Sequence, residues 1–118
     1  MKIDFGLTAK DIAGIVDILK NESGVEKAYL FGSRAKGTFS RGSDVDLALT
    51  GKGLNFSAIR HISYLLNEET AMPYHFDVIN YHSIREPALT EHIDRVGVII
   101  YDRSDLADNP GEKFGGGE

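Results

Sequence analysis

Cysteine is absent from this chain of 118 residues. That removes disulfides, zinc–thiolate centres and cysteine nucleophiles together. No apolar run approaches the ~20 residues needed to cross a bilayer. The N-terminus, MKIDFGLTAKD, lacks the apolar core of a secretory signal. Cytoplasmic residence without a membrane partner is the resulting expectation. A cationic surplus is missing too: 13 Lys and Arg stand against 18 Asp and Glu, for a net charge of −5. Five of those acids lie from Asp102 onward with two bases, leaving residues 1–101 at −2. Such a balance argues against non-specific binding of nucleic acid, which needs a broad cationic surface. What is present is ordinary for a globular protein, with 42% hydrophobic and 26% charged residues. The length suits one domain able to bury well over half of the surface its unfolded chain exposes.

Hydrophobic spacing organises the chain into alternating helices and strands. Thr8 with Asp11 resembles a capping box, and Ile12, Ile15, Val16 and Leu19 then share a helix face that Gly24 can stop. Val25–Phe31 is rich in β-formers and ends abruptly at Gly32-Ser33, ahead of a short helix. Ser43–Thr50 alternates, with Val45, Leu47 and Leu49 on one face and Asp44, Asp46 and Ala48 on the other. A helix from Asn55 to about Thr70 is halted by Pro73, and Tyr74–Tyr81 reads as a strand. Pro87 opens a last helix with Leu89, Ile93 and Val96 on its face, before the strand Val96–Tyr101. The fold class expected is α/β (α+β), helices packed on a small mixed sheet. The domain is expected over 1–103, with a flexible, acidic, glycine-rich tail over 104–118.

Chemistry concentrates in GSRAKGTFSRGSDVDLAL, Gly32 to Leu49. At Gly32-Ser33 a missing side chain lets phosphate approach the backbone, and free amides and the Ser33 hydroxyl can donate to its oxygens. Arg34, Lys36 and Arg41, in a stretch without acids, can add charge-assisted bonds. Asp44 and Asp46 project the same way from a strand, roughly 6.5–7 Å apart. Two carboxylates so placed repel by on the order of 2 kcal/mol at an effective dielectric of ~20, a penalty that a cation between them removes. Oxygen-only ligands favour Mg2+ or Mn2+. Asp77 interrupts an apolar strand and joins the pair if that strand lies beside Ser43–Thr50. Three acids beside a phosphate cradle suit two-metal phosphoryl or nucleotidyl transfer.

Gly-Ser, ten residues, Asp-x-Asp between apolar residues and a third acid in a later strand together resemble the polymerase-beta-type nucleotidyltransferase superfamily. The likeness covers about residues 8–101, and the small size is similar to its minimal (MNT) branch. The resemblance implies that Gly32 and Ser33 hold the nucleotide phosphates and that Asp44 and Asp46 ligate two Mg2+ ions. It implies Asp77 as the carboxylate that assists the second ion and activates the acceptor hydroxyl. Larger members carry a helical domain for the acceptor, so a helical partner protein is expected to supply that surface here. In the MNT/HEPN toxin–antitoxin pairs that this chain resembles, the antitoxin transfers AMP from ATP to a tyrosine of the HEPN toxin.

Other readings are set beside this one. Gly32-xxxx-Gly37-Thr38 is superficially a P-loop, but Thr38 stands where that motif needs lysine. The chain can instead be a binding module that neutralises a helical partner without catalysis. It can also modify a small molecule, which a homo-oligomer would help to enclose. His61, His75, His82 and His92 lack metal-ligand spacing and read as surface or core-edge residues, although His75 and His82 flank the strand of Asp77.

Overall fold

A computed structural model describes residues 5–107. Four strands form one mixed sheet in the order β3-β2-β1-β4, with β1 Lys27–Phe31, β2 Val45–Thr50, β3 Phe76–Asn80 and β4 Val98–Asp102. β1 runs antiparallel to both β2 and β4, whereas β2 and β3 are parallel. The parallel pair requires a crossover, which α3 (Phe56–Glu68) provides. α1 is Ala9–Lys20, α2 Gly32–Lys36, α4 Pro87–Val96 and α5 Arg103–Ala107. Among the described residues no helix is long and apolar enough to cross a membrane.

Local signals set the helix starts. Thr8 Oγ1 accepts from the Asp11 amide and Asp11 Oδ2 from the Thr8 amide, each at 3.0 Å, so the capping box forms. α1 stops at Asn21, before Gly24, because the Asn21 amide turns back onto Ile18 and Leu19 carbonyls. Asn55 caps α3 through Ala58 N–H at 2.8 Å, and Pro87 opens α4.

The two sheet faces are used differently. On one, α1 and α3 set Ile15, Leu19, Ile62 and Leu66 against Ala28, Leu30, Val45, Leu47, Leu49, Phe76 and Val78. On the other, α4 brings Ile93 onto Phe31 and Ala48, with Ile79, Ile84 and Leu89 packed around them. Ala48, expected on the polar side with the aspartates, is therefore buried, since α4 covers its end of that face. Asp46 and Asp77 are left on the uncovered remainder.

Two elements are not visible in the hydrophobic pattern. One is a 3-10 turn at Tyr81–Ser83. The other is α5, which takes in residues 104–107 of the expected tail; 108–118 lie outside the described residues. α5 forms because Asp102 caps it through the Ser104 amide and hydroxyl, at 3.0 and 2.8 Å. Arg103 anchors it to the Val25 and Glu22 carbonyls at 2.8 and 2.9 Å.

Arg34 is the one buried charged side chain among the described residues, at 1% exposure. Its Nη2 donates to Ser43 O at 2.8 Å and its Nε to Ser43 O and Asp44 O at 3.2 and 3.3 Å. Nη1 donates to Phe5 O at 2.9 Å and Gly6 O at 3.3 Å. The guanidinium also lies 5.0 Å from the Tyr74 ring centre and 5.3 Å from that of Phe39. A lysine cannot divide its compact charge among these carbonyls. Arg34→Lys should therefore lower unfolding free energy by about 2–4 kcal/mol, the range for leaving buried polar partners unsatisfied. Urea unfolding measures it, and a loss below ~0.5 kcal/mol would show that the network is dispensable.

Candidate active site

The register of the parallel pair brings the acids together. Asp46 of β2 is the direct neighbour of Asp77 of β3, so the condition for a shared cluster is met. Their strands run side by side at about 4.8 Å. Asp44, just before β2, and Asp77 are exposed, while Asp46 is half-buried between them. Burial pushes the Asp46 carboxyl up to about 6, helped by the negative charges of Asp77 and Asp44 and opposed by His75 and Arg34. His75 stands with Nδ1 3.6 Å from Asp44 Oδ2, an ion pair when the imidazole is protonated. Among the described residues no three His, Asp or Glu side chains form a ready-made metal cage. The donor set nonetheless fits a hard divalent cation: it is all oxygen, and its mutual repulsion is what a cation relieves.

Beside the acids, β1 passes directly into α2. Gly32 has φ +75°, a left-handed conformation that other residues adopt at a cost. A methyl group there would also collide with the Asp46 carboxylate. Glycine is thus required twice, once by the backbone and once by the acid. Phe31, the N-cap of α2, supplies no side-chain hydrogen bond. The Gly32 amide donates instead to His92 Nε2 of α4 at 3.2 Å. The Ser33 hydroxyl makes no hydrogen bond within the described residues and is half-exposed beside the acids' strand.

Not every expected cation faces the site. Arg34, expected among the phosphate-binding residues, is instead a buried strut, because backbone carbonyls engage all its nitrogens. Its charge still acts through space to favour ionised Asp46. Lys36 and Arg41 are exposed, on the last turn of α2 and in the loop leading to β2. Of the histidines flanking β3, His75 reaches Asp44, whereas His82 packs edge-on against Tyr81 with ring centres 5.6 Å apart. His92 is the site neighbour that sequence reasoning missed. Sixty positions separate it from Gly32, and nothing local to its amphipathic helix marks it.

The raised Asp46 carboxyl has a measurable sign. Its folded value of about 6 exceeds the ordinary 3.8, so the folded state holds the proton more tightly than the unfolded chain. Stability is therefore lost as pH climbs from about 4 to 6, and the deficit is complete above that window. Asp46→Asn should stabilise the protein without divalent cations at pH 7 by about 1–2 kcal/mol, a figure discounted for partial solvent screening. The advantage should vanish near pH 4 in paired urea titrations. An Asn variant no more stable than wild type at pH 7 would show that burial and the neighbouring carboxylates together do not disfavour a charged Asp46.

Comparison with known proteins identifies the family and the fold. Residues 14–106 match the family model described as Polymerase beta, Nucleotidyltransferase. No curated protein gives a match. Among solved structures, a toxin–antitoxin complex with AMP-PNP has a TM-score of 0.66 at 23% identity, covering 82% of this chain and 79% of that one. The MntA–HepT toxin–antitoxin gives 0.62 at 19% identity, covering 83% and 76%. The tri-AMPylated HEPN toxin of Shewanella oneidensis in complex with MNT antitoxin gives 0.60 at 18%, covering 82% and 74%. Identities this low establish a shared fold, and the family match spans most of the sequence: the chain belongs to the polymerase beta nucleotidyltransferase family.

Proposed function

We propose that this nucleotidyltransferase moves AMP from ATP to a hydroxyl of a partner protein, in the manner of an antitoxin acting on a HEPN-type toxin. The observation that carries the reading is the convergence of Asp44, Asp46 and Asp77 beside the Gly32–Ser33 turn. Support for ATP comes from the similar complex holding AMP-PNP, and for a protein acceptor from the similar complex whose HEPN toxin is tri-AMPylated.

Asp44 and Asp46 would hold two divalent ions, Mg2+ or Mn2+, with Asp77 assisting at the second. Bound there, such ions neutralise the triphosphate and the negative charge that grows on the leaving group. The chain's own groups do the remainder. The Ser33 amide and hydroxyl donate to phosphate oxygens, and Lys36 and Arg41 add charge from the adjoining helix and loop. Asp77 accepts the proton of the acceptor hydroxyl as its oxygen attacks the α-phosphorus in line. The new oxygen–phosphorus bond forms as the bond to the β-phosphate bridge breaks, and pyrophosphate departs.

The test uses ATP labelled at the α-phosphate, Mg2+ and a lysate of the protein's own host. Wild type should label a protein band, and Asp46→Asn should reduce that label at least ~100-fold. Because this variant is expected to be the more stable one, its inactivity would not be unfolding. Lys36→Ala or Arg41→Ala should each raise the KM for ATP by about three- to tenfold, as loss of one charge-assisted contact does. Asp46→Asn transferring label at the wild-type rate would overturn the acid assignment. Label in RNA or a small molecule would keep the chemistry and replace the acceptor. Folded wild type that labels nothing, yet forms a stoichiometric complex with a helical partner, would favour the binding module.

A further inference from the structure

We infer that His92 is a positioning residue of the nucleotide site, acting through the backbone of Gly32; the inference rests on Gly32–Ser33 being the phosphate-facing turn. Gly32 is conformationally the freest residue type, yet it must hold φ +75° with the Asp46 carboxylate against its bare Cα. It opens α2, to which Phe31 gives no side-chain cap. The restraint comes from α4, where His92 Nε2 accepts from the Gly32 amide at 3.2 Å.

The histidine is itself well placed to act as a fixed acceptor. Its ring meets Phe31 edge-on, at 79° with centres 6.1 Å apart, which orients the imidazole. The next residue, Ile93, is buried against Phe31 and Ala48 and anchors this turn of α4 to the sheet. Accepting at Nε2 assigns the proton to Nδ1 in a neutral ring. Two consequences follow. The Gly32 amide is directed at α4, so the donors left for phosphate are those of Ser33. Asp46 and Ser33, the acid and the phosphate donor, are both referred to one backbone residue whose conformation His92 sets.

Two variants separate the hydrogen bond from packing. His92→Phe keeps a ring against Phe31 but has no acceptor, whereas His92→Gln can place Oε1 near the Nε2 position. In NMR of the nucleotide-free protein, His92 should show protonated Nδ1 and unprotonated Nε2. Exchange of the Gly32 amide should quicken about tenfold in His92→Phe and stay within about threefold of wild type in His92→Gln. Calorimetry with ATP and Mg2+ should give a Kd weakened about five- to tenfold by Phe and within about twofold for Gln. A protonated Nε2, wild-type exchange at Gly32 in His92→Phe, or equal impairment of both variants would each overturn the inference. If wild type binds no ATP, the proposed function fails and His92 is overturned as a nucleotide-site residue. The exchange and tautomer results would then still show whether it holds Gly32.

Discussion

A buried guanidinium must satisfy its donors or destabilise the fold, and Arg34 does so by gathering carbonyls from distant segments. One set belongs to residues 5–6, ahead of α1, and the other to residues 43–44, where the chain enters β2. Tyr74, before β3, closes over the cation and donates its hydroxyl to Asp11 of the α1 cap at 2.7 Å. A single side chain thus joins α2, the approach to β2 and the start of α1. Because Asp44 O is among its acceptors, the carboxylate pair begins from a point that Arg34 holds. Among the described residues no carboxylate is bonded to Arg34, and its positive charge acts as a field beneath the acids.

That field only partly offsets the conflict above it. Parallel pairing forces Asp46 beside Asp77, and alternation along β2 turns Asp44 the same way. Neither strand can slip to separate the charges, because Val45, Leu47 and Leu49 on the reverse face are sealed under α1 and α3. The core therefore maintains a repulsion that a solvated loop would relax. A domain without cysteine thus concentrates negative charge at one place, with packing energy opposing electrostatic strain.

Much of this was legible in the sequence, and the exceptions share a cause. α1, α3, α4 and the four strands carry periodicities that local burial enforces, and Asp44-x-Asp46 reads directly as a same-face pair. Arg34 was misread because a base within RAKGTFSRG looks solvated, whereas its partners are carbonyls that leave no mark in side-chain chemistry. Ala48 fitted the alternation but belongs to a face that a helix forty residues later covers. α5 was hidden by polar composition, since Arg103 secures it through bonds to residues about eighty positions earlier. His92 was invisible for the same reason. Local pattern reveals what neighbours in the chain decide, and each of these depends on long-range contact, α5 in addition to its local Asp102 cap.

The exposure of Asp44 and Asp77 also bears on the acceptor. Charges open to water are screened, and groups aimed at a reacting phosphate work best where water is excluded. α4 covers the neighbouring part of this sheet face and stops short of the acids, so the described residues leave them open on that side. A small acceptor would not change that, whereas a protein surface docking across the exposed acids would bring a hydroxyl and exclude solvent together. Under the proposed function, binding the partner and strengthening the site's electrostatics are then one event. Transfer would be confined to a surface that fits over Asp44 and Asp77, and a hydroxyl arriving without such a surface would meet a screened, hydrated site.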